Sequence, residues 1–98
     1  MRIISLKSTN MELTDAIRAY VEEKVAQLRK LASDFEPADD LSVEVGKSSR
    51  HHAKGPYFRA EMMLTIPGKD FRAESEAEDL YEAIDNVKDQ MRRQLLDH

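Results

Sequence analysis

Residues 46–56, Gly46-Lys47-Ser48-Ser49-Arg50-His51-His52-Ala53-Lys54-Gly55-Pro56, hold three basic side chains and two histidines without one acid. Three kinds of chemistry suit such a stretch: a phosphate loop, a metal site, or a cationic grip on a polyanion. A loop of the Gly-x-x-x-x-Gly-Lys-[Ser/Thr] type needs its first glycine so that the backbone can wrap the phosphates before the lysine reaches them. Gly46-Lys47-Ser48 spells only the second half, and five residues before Gly46 stands Leu41, inside a strand-like segment. Another strand-like segment follows the loop, where a helix N-terminus should meet the anion. For a metal, His51 and His52 are neighbours that point to opposite sides of an extended backbone, and the third histidine is the terminal His98. No metal and no cofactor are expected.

Other groups that do chemistry are equally uninviting. There is no cysteine, which removes disulfides, thiolate zinc sites and thiol nucleophiles together. Glu76, Glu78, Glu82, Asp85 and Asp89 fall away from the apolar stripe of a helix, where solvated charge is expected rather than an acid/base pair. No enzyme and no small-molecule substrate are expected. The polyanion reading remains, against a net charge of −4 from 15 basic and 19 acidic residues. Distribution matters more than the total at distances comparable to the Debye length of ~8–10 Å. Lys47, Arg50, Lys54 and Arg59 fall in an acid-free run, while residues 1–45 hold six bases against nine acids.

The elements that must position these groups follow from periodicity. Arg2-Ile3-Ile4-Ser5-Leu6-Lys7 reads as a strand. Leu13, Ile17, Val21, Val25, Leu28, Leu31 and Phe35 recur at helical spacing, with Thr14 as N-cap and Pro37 ending the helix by residue 36. Leu41, Val43 and Val45 alternate with polar residues as a second strand. Phe58, Ala60, Met62, Leu64 and Ile66 alternate with Tyr57, Arg59, Glu61, Met63 and Thr65 as a third, and Pro67-Gly68 turns it into a fourth through Phe71 and Ala73. Ser75-Glu76-Ala77-Glu78 has capping-box spacing and predicts a helix whose stripe is Ala77, Leu80, Tyr81, Ile84, Val87, Met91 and Leu95. The class is α+β, β-α-β-β-β-α. One domain, residues 1–98, is expected to form a two-layer sandwich in which a four-stranded mixed sheet carries both helices on one face. The first two strands should be parallel. No apolar run suits a membrane span, and the default compartment is the cytosol.

Between its strands the basic loop is about eleven residues long, where two to five would close a hairpin. Its single sign of charge favours a phosphate-contacting role. On the first helix Arg18, Arg29 and Lys30 lie well off the stripe, with Lys24 at its edge. On the second, Arg93 points away from the core while Lys88 and Arg92 flank it. The bare sheet face also raises base stacking by aromatics, but Tyr57 is the only one expected there.

Taken together, Glu78-Asp79-Leu80-Tyr81-Glu82-Ala83-Ile84-Asp85 with Arg93-Gln94-Leu95 downstream, Glu12-Leu13-Thr14-Asp15-Ala16-Ile17-Arg18, and Pro67-Gly68 resemble the ribosome hibernation promoting factors, or protein Y, over essentially the whole chain. The resemblance implies a fold similar to double-stranded RNA-binding domains. It also implies a cytoplasmic stress-response or stationary-phase factor that occupies the mRNA and tRNA channel of the small ribosomal subunit and blocks translation. It carries rRNA-binding roles onto Arg18, Lys24, Lys30 and Arg93; to these, charge alone adds Lys47, Arg50, His51 and Lys54. Gln27 and Gln90 stand where family members often carry a base, so the loop is expected to compensate. The C-terminal extension with which long-form members pair two ribosomes is absent from these residues. A second reading is a regulatory protein-binding module that uses the acidic back of the second helix.

Overall fold

The computed structural model describes residues 1–32, 39–48 and 58–98. Along the chain run β1 (Arg2–Thr9), α1 (Asp15–Arg29), β2 (Asp40–Lys47), β3 (Phe58–Ile66), β4 (Lys69–Ala77) and α2 (Leu80–Asp97). The four strands lie in the order β1-β2-β3-β4, with β1 parallel to β2 and the remaining pairs antiparallel. The expected β-α-β-β-β-α order and mixed sheet are present.

Alternation builds the sheet's apolar face. Leu41, Val43 and Val45 of β2, Ala60, Met62, Leu64 and Ile66 of β3, and Phe71, Ala73 and Ala77 of β4 are buried in one cluster. Ile17, Val21, Val25 and Leu28 of α1 and Leu80, Ala83, Ile84, Val87, Met91 and Leu95 of α2 complete it. Each fully buried Val, Leu or Met side chain contributes roughly 1.5–3 kcal/mol, so both helices belong to one core on one side. In β1 the alternation slips. Ile3 stands opposite Leu41 but Ser5 opposite Ser42, so Ile4 bulges out, exposed, and Ile3 and Leu6 both pack against the core.

The turns follow local chemistry. Thr14 caps α1 by accepting from the Ile17 N–H at 3.2 Å. Pro67-Gly68 closes β3 onto β4 in two residues, with Gly68 at φ 81°. At Gly46 the requirement is space: a Cβ there would meet the Thr9 carbonyl oxygen at 2.3 Å. Met1 and Asp39 pin the strand ends together, since the α-ammonium meets Asp39 Oδ2 at 2.5 Å and both side chains are buried.

Three expectations need correction. α1 ends at Arg29, short of the predicted residue 36, because the Leu31 and Ala32 N–H groups bond three residues back, to Leu28 and Arg29. Leu31 and Ala32 still reach the core from this tightened turn; Phe35 and Pro37 lie outside the described residues. Ser75 does not cap α2. Residues 75–77 continue β4, Ala77 pairing with Phe58, and Asp79 caps instead by accepting from the Tyr81 N–H at 3.2 Å. A polar run with one alanine satisfies strand alternation as well as a capping box, and pairing with β3 decides it. Tyr81 consequently leaves the buried stripe and stands exposed on its flank.

Two variants check these assignments in denaturant or thermal unfolding. Gly46→Ala is expected to lose roughly 1–3 kcal/mol through overpacking against β1, and an unchanged midpoint would contradict that contact. Asp79→Ala should cost about 1 kcal/mol as a lost cap, with Ser75→Ala close to neutral; the reverse order would restore the capping box at Ser75.

Candidate nucleic-acid interface

Helical spacing distributes the expected contact residues before any tertiary contact is considered. On α1, Tyr20 and Lys24 form one flank of the buried stripe, Arg18 and Arg29 the other, and Lys30, at the C-cap, points outward. On α2, Tyr81, Asp85, Lys88 and Arg92 share a flank, Gln90 and Gln94 the opposite one, and Arg93 faces away from the core. The helices meet along the Tyr20/Lys24 and Tyr81/Asp85 flanks.

That meeting is a clasp. The Tyr20 hydroxyl donates to Asp85 Oδ1 at 2.7 Å, and Lys24 Nζ approaches the same oxygen at 3.3 Å. Lys24 Nζ also sits 4.9 Å from the centre of the Tyr20 ring, and the Tyr20 and Tyr81 rings meet edge to face at 4.7 Å. Burial pushes the Asp85 carboxyl up, but the Tyr20 hydroxyl and Lys24 outweigh it and hold it below its ordinary value. The hydrogen bond to that carboxylate raises Tyr20. For Lys24 burial acts downward, and Asp85 more than reverses it. A carboxyl lowered on folding stabilises above its unfolded pKa and loses that contribution as pH falls through the folded one, while the raised Lys24 and Tyr20 lose theirs as pH rises, so the clasp is intact at neutral pH and weakens in acid and in strong base. Asp85, expected as solvated charge, is therefore a fastening between helices, and Lys24 is its partner.

Gln90 has a structural task as well. Its Oε1 accepts from the Glu74 N–H at 3.2 Å, and Gln94 Nε2 donates to the Arg72 carbonyl at 2.6 Å. β4 is an edge strand, and these amides occupy backbone groups that face no neighbouring strand. A lysine at position 90 has no acceptor to offer Glu74.

The open sheet face is a lattice of paired charges. Arg59 binds Glu61 at 2.9 Å and Glu74 beside it, and Arg72 reaches Glu61 through Nε at 3.1 Å. Burial opposes the Arg59 charge, but the two glutamates override it and raise its pKa. Arg59, counted with the acid-free run in sequence, is thus neutralised from two strands. Lys47 ends β2 exposed, beside a cavity of ≈ 390 Å³ whose lining mixes Lys47 and Arg59 with Glu44 and Glu76. Such mixed lining makes no phosphate cradle. Arg50, His51 and Lys54 lie outside the described residues, as does Tyr57.

Sorting the described cations by partner separates two groups. Arg2, Lys24, Arg59, Arg72 and Lys88 hold carboxylates, and Arg29 Nε donates to the Met1 carbonyl at 3.1 Å. Lys7, Arg18, Lys30, Lys47, Lys69, Arg92 and Arg93 are exposed and have no carboxylate partner among the described residues. Four of the eight expected contacts, Arg18, Lys30, Lys47 and Arg93, are therefore exposed without a carboxylate partner among the described residues, Lys24 is engaged, and Arg92, which was not among the expected contacts, shares their state. Its signal was the eleven-residue spacing from Tyr81 along one flank. Among the described residues no group of three or more His, Asp or Glu side chains can hold a metal, and no helix is long and apolar enough to cross a membrane.

Comparison with known proteins agrees with this architecture. The chain is similar to the ribosome hibernation promotion factor of Deinococcus radiodurans, 36% identical over 97% of this chain and 48% of that protein, so it spans about half of that relative's length. It is 30% identical to the ribosome hibernation promoting factor of Azotobacter vinelandii, over 97% of this chain and 80% of that one. The Thermus thermophilus protein Y N-terminal domain superposes with a TM-score of 0.79 at 37% identity, covering 97% of this chain and 96% of the domain. The profile of one family, described as Sigma 54 modulation protein / S30EA ribosomal protein, matches residues 4–98, and to that family this chain belongs.

Proposed function

We propose that the chain is a cytoplasmic ribosome hibernation factor that binds the small ribosomal subunit, lies in its mRNA and tRNA channel, and blocks translation in resting or starved cells by occupancy, without catalysis. One observation carries this reading: similarity to hibernation factors spans almost the whole chain, and the helix-layer cations Arg18, Lys30, Arg92 and Arg93 are exposed and unpaired among the described residues. Cations already tied to carboxylates release no counterions from a nucleic acid, whereas free ones do. The helix layer supplies most of this charge; on the open sheet face Arg59 and Arg72 are tied to Glu61 and Glu74, which leaves Lys7.

The helices are not uniformly basic. α1 sets Arg18, Lys24 and Arg29 against Asp15, Glu22 and Glu23, and α2 sets Lys88, Arg92 and Arg93 against Glu82, Asp85, Asp89 and Asp97. Residues 46–56 therefore matter in this proposal, with Lys47, Arg50, His51 and Lys54 adding single-sign charge toward rRNA. The alternative of a protein partner on the acidic back of α2 loses one of its acids, because Asp85 is committed to Tyr20 and Lys24.

Co-sedimentation with purified small ribosomal subunits over a salt series tests the proposal. Binding should weaken steeply with salt, and each removed phosphate contact should flatten the log–log slope by about 1. The Arg18→Ala/Lys30→Ala/Arg93→Ala variant should bind more weakly with a shallower slope, as should Lys47→Ala/Arg50→Ala/Lys54→Ala. Parent protein that fails to co-sediment even at low salt would overturn the ribosome reading; a loop variant equal to the parent would remove the loop from it.

A further inference from the structure

Tyr20 and Tyr81 meet where the helices touch, yet the clasp uses them differently. The Tyr20 hydroxyl is taken by Asp85 and its ring is covered by Lys24. Tyr81 has neither: its hydroxyl has no partner among the described residues, and no cation covers its ring. It is 36% exposed, the one aromatic among the described residues to be so, whereas Phe71 is 2% exposed in the core. Its position is nevertheless fixed. The Tyr81 N–H is held by the Asp79 cap, and its ring is set at 79° to the Tyr20 ring, which Asp85 anchors in turn. An edge-to-face contact does not cover the whole aromatic surface. The result is a solvent-facing ring whose orientation is settled before any partner arrives, which lowers the ordering cost of binding.

Cations lie farther along the same flank of α2. Lys88, two turns on, is tied to Asp89 at 2.7 Å, and Arg92, three turns and ~16 Å on, is exposed with no carboxylate partner among the described residues. An exposed aromatic ring on an element that carries cations farther along is an arrangement with which proteins hold unpaired nucleotides: the ring stacks on a base and the cations track the strand's phosphates. We infer that Tyr81 is a base-stacking residue, packing its free ring surface on an unpaired rRNA base while Arg92, three turns along α2, contacts phosphates farther along the strand. The inference rests on the ribosome reading above and adds to it a contact that is not electrostatic.

The test compares Tyr81→Trp, Tyr81→Phe and Tyr81→Leu with the parent for affinity to purified small ribosomal subunits over the same salt series, with a melting curve for each. Affinity should follow aromatic surface: Trp at least equal to Tyr, Phe close to it, and Leu roughly ten-fold weaker or more at every salt concentration. The salt slope should be unchanged in all three, since stacking releases no counterions. Salt-dependent binding by the parent with Tyr81→Leu within two-fold of it overturns the stacking role and leaves the ribosome reading standing. If Tyr81→Leu melts early, the Trp and Phe variants decide: Trp weaker than Phe with both melting as the parent overturns stacking, and the stated order supports it. Parent protein that does not bind overturns both.

Discussion

Burial of a single face of the sheet under two helices is the constraint on which everything else depends. Because β2, β3 and β4 alternate strictly, their apolar residues converge on one side, and α1 and α2 must share it. Helices forced side by side expose flanks to each other, and those flanks carry Tyr20, Lys24, Tyr81 and Asp85. The flanks that meet are thereby taken up by the clasp, and Arg18, Lys30 and Arg93 lie on other faces of the helices.

In the proposed function an acidic chain addresses a polyanion, and internal pairing decides which of its cations are open to it. Internal pairing withdraws particular cations from solvent competition: Arg59 and Arg72 into the sheet lattice and Lys24 into the clasp. What remains unpaired on the helix layer among the described residues, Arg18, Lys30, Arg92 and Arg93, is the surface proposed for binding, a local excess that net charge conceals. Gln90 shows the converse. Its place on α2 is spent on the edge of β4, so a base there would give up the acceptor that holds the Glu74 N–H in exchange for a phosphate contact.

Much of the fold was legible because strand alternation and helical spacing are local. Thr14 as N-cap, the Pro67-Gly68 turn and the parallel β1–β2 pair follow from neighbouring residues and short-range geometry. The errors arose where two local patterns fit and a distant partner chose between them: Ser75-Glu76-Ala77-Glu78 satisfies a capping box until Phe58 pairs with Ala77. Ile4 bulges for the same kind of reason, since only its neighbour β2 fixes the phase of β1. Of the candidate interface, the residue types were legible but their commitments were not. No spacing rule reveals that Lys24 and Tyr20 share Asp85, sixty-odd residues away, or that Arg59 meets Glu74 on the next strand.

The central claim is that the helix layer, not the open sheet, faces the ribosome. Hydroxyl-radical footprinting of the chain bound to small ribosomal subunits reads this directly, because Tyr81 reports on the α1–α2 flank and half-buried Met63 on the open sheet face. Binding should lower Tyr81 oxidation several-fold relative to the free chain and leave Met63 unchanged. Protection of Met63 with Tyr81 oxidised as in the free chain would place the ribosome on the opposite face and contradict the account.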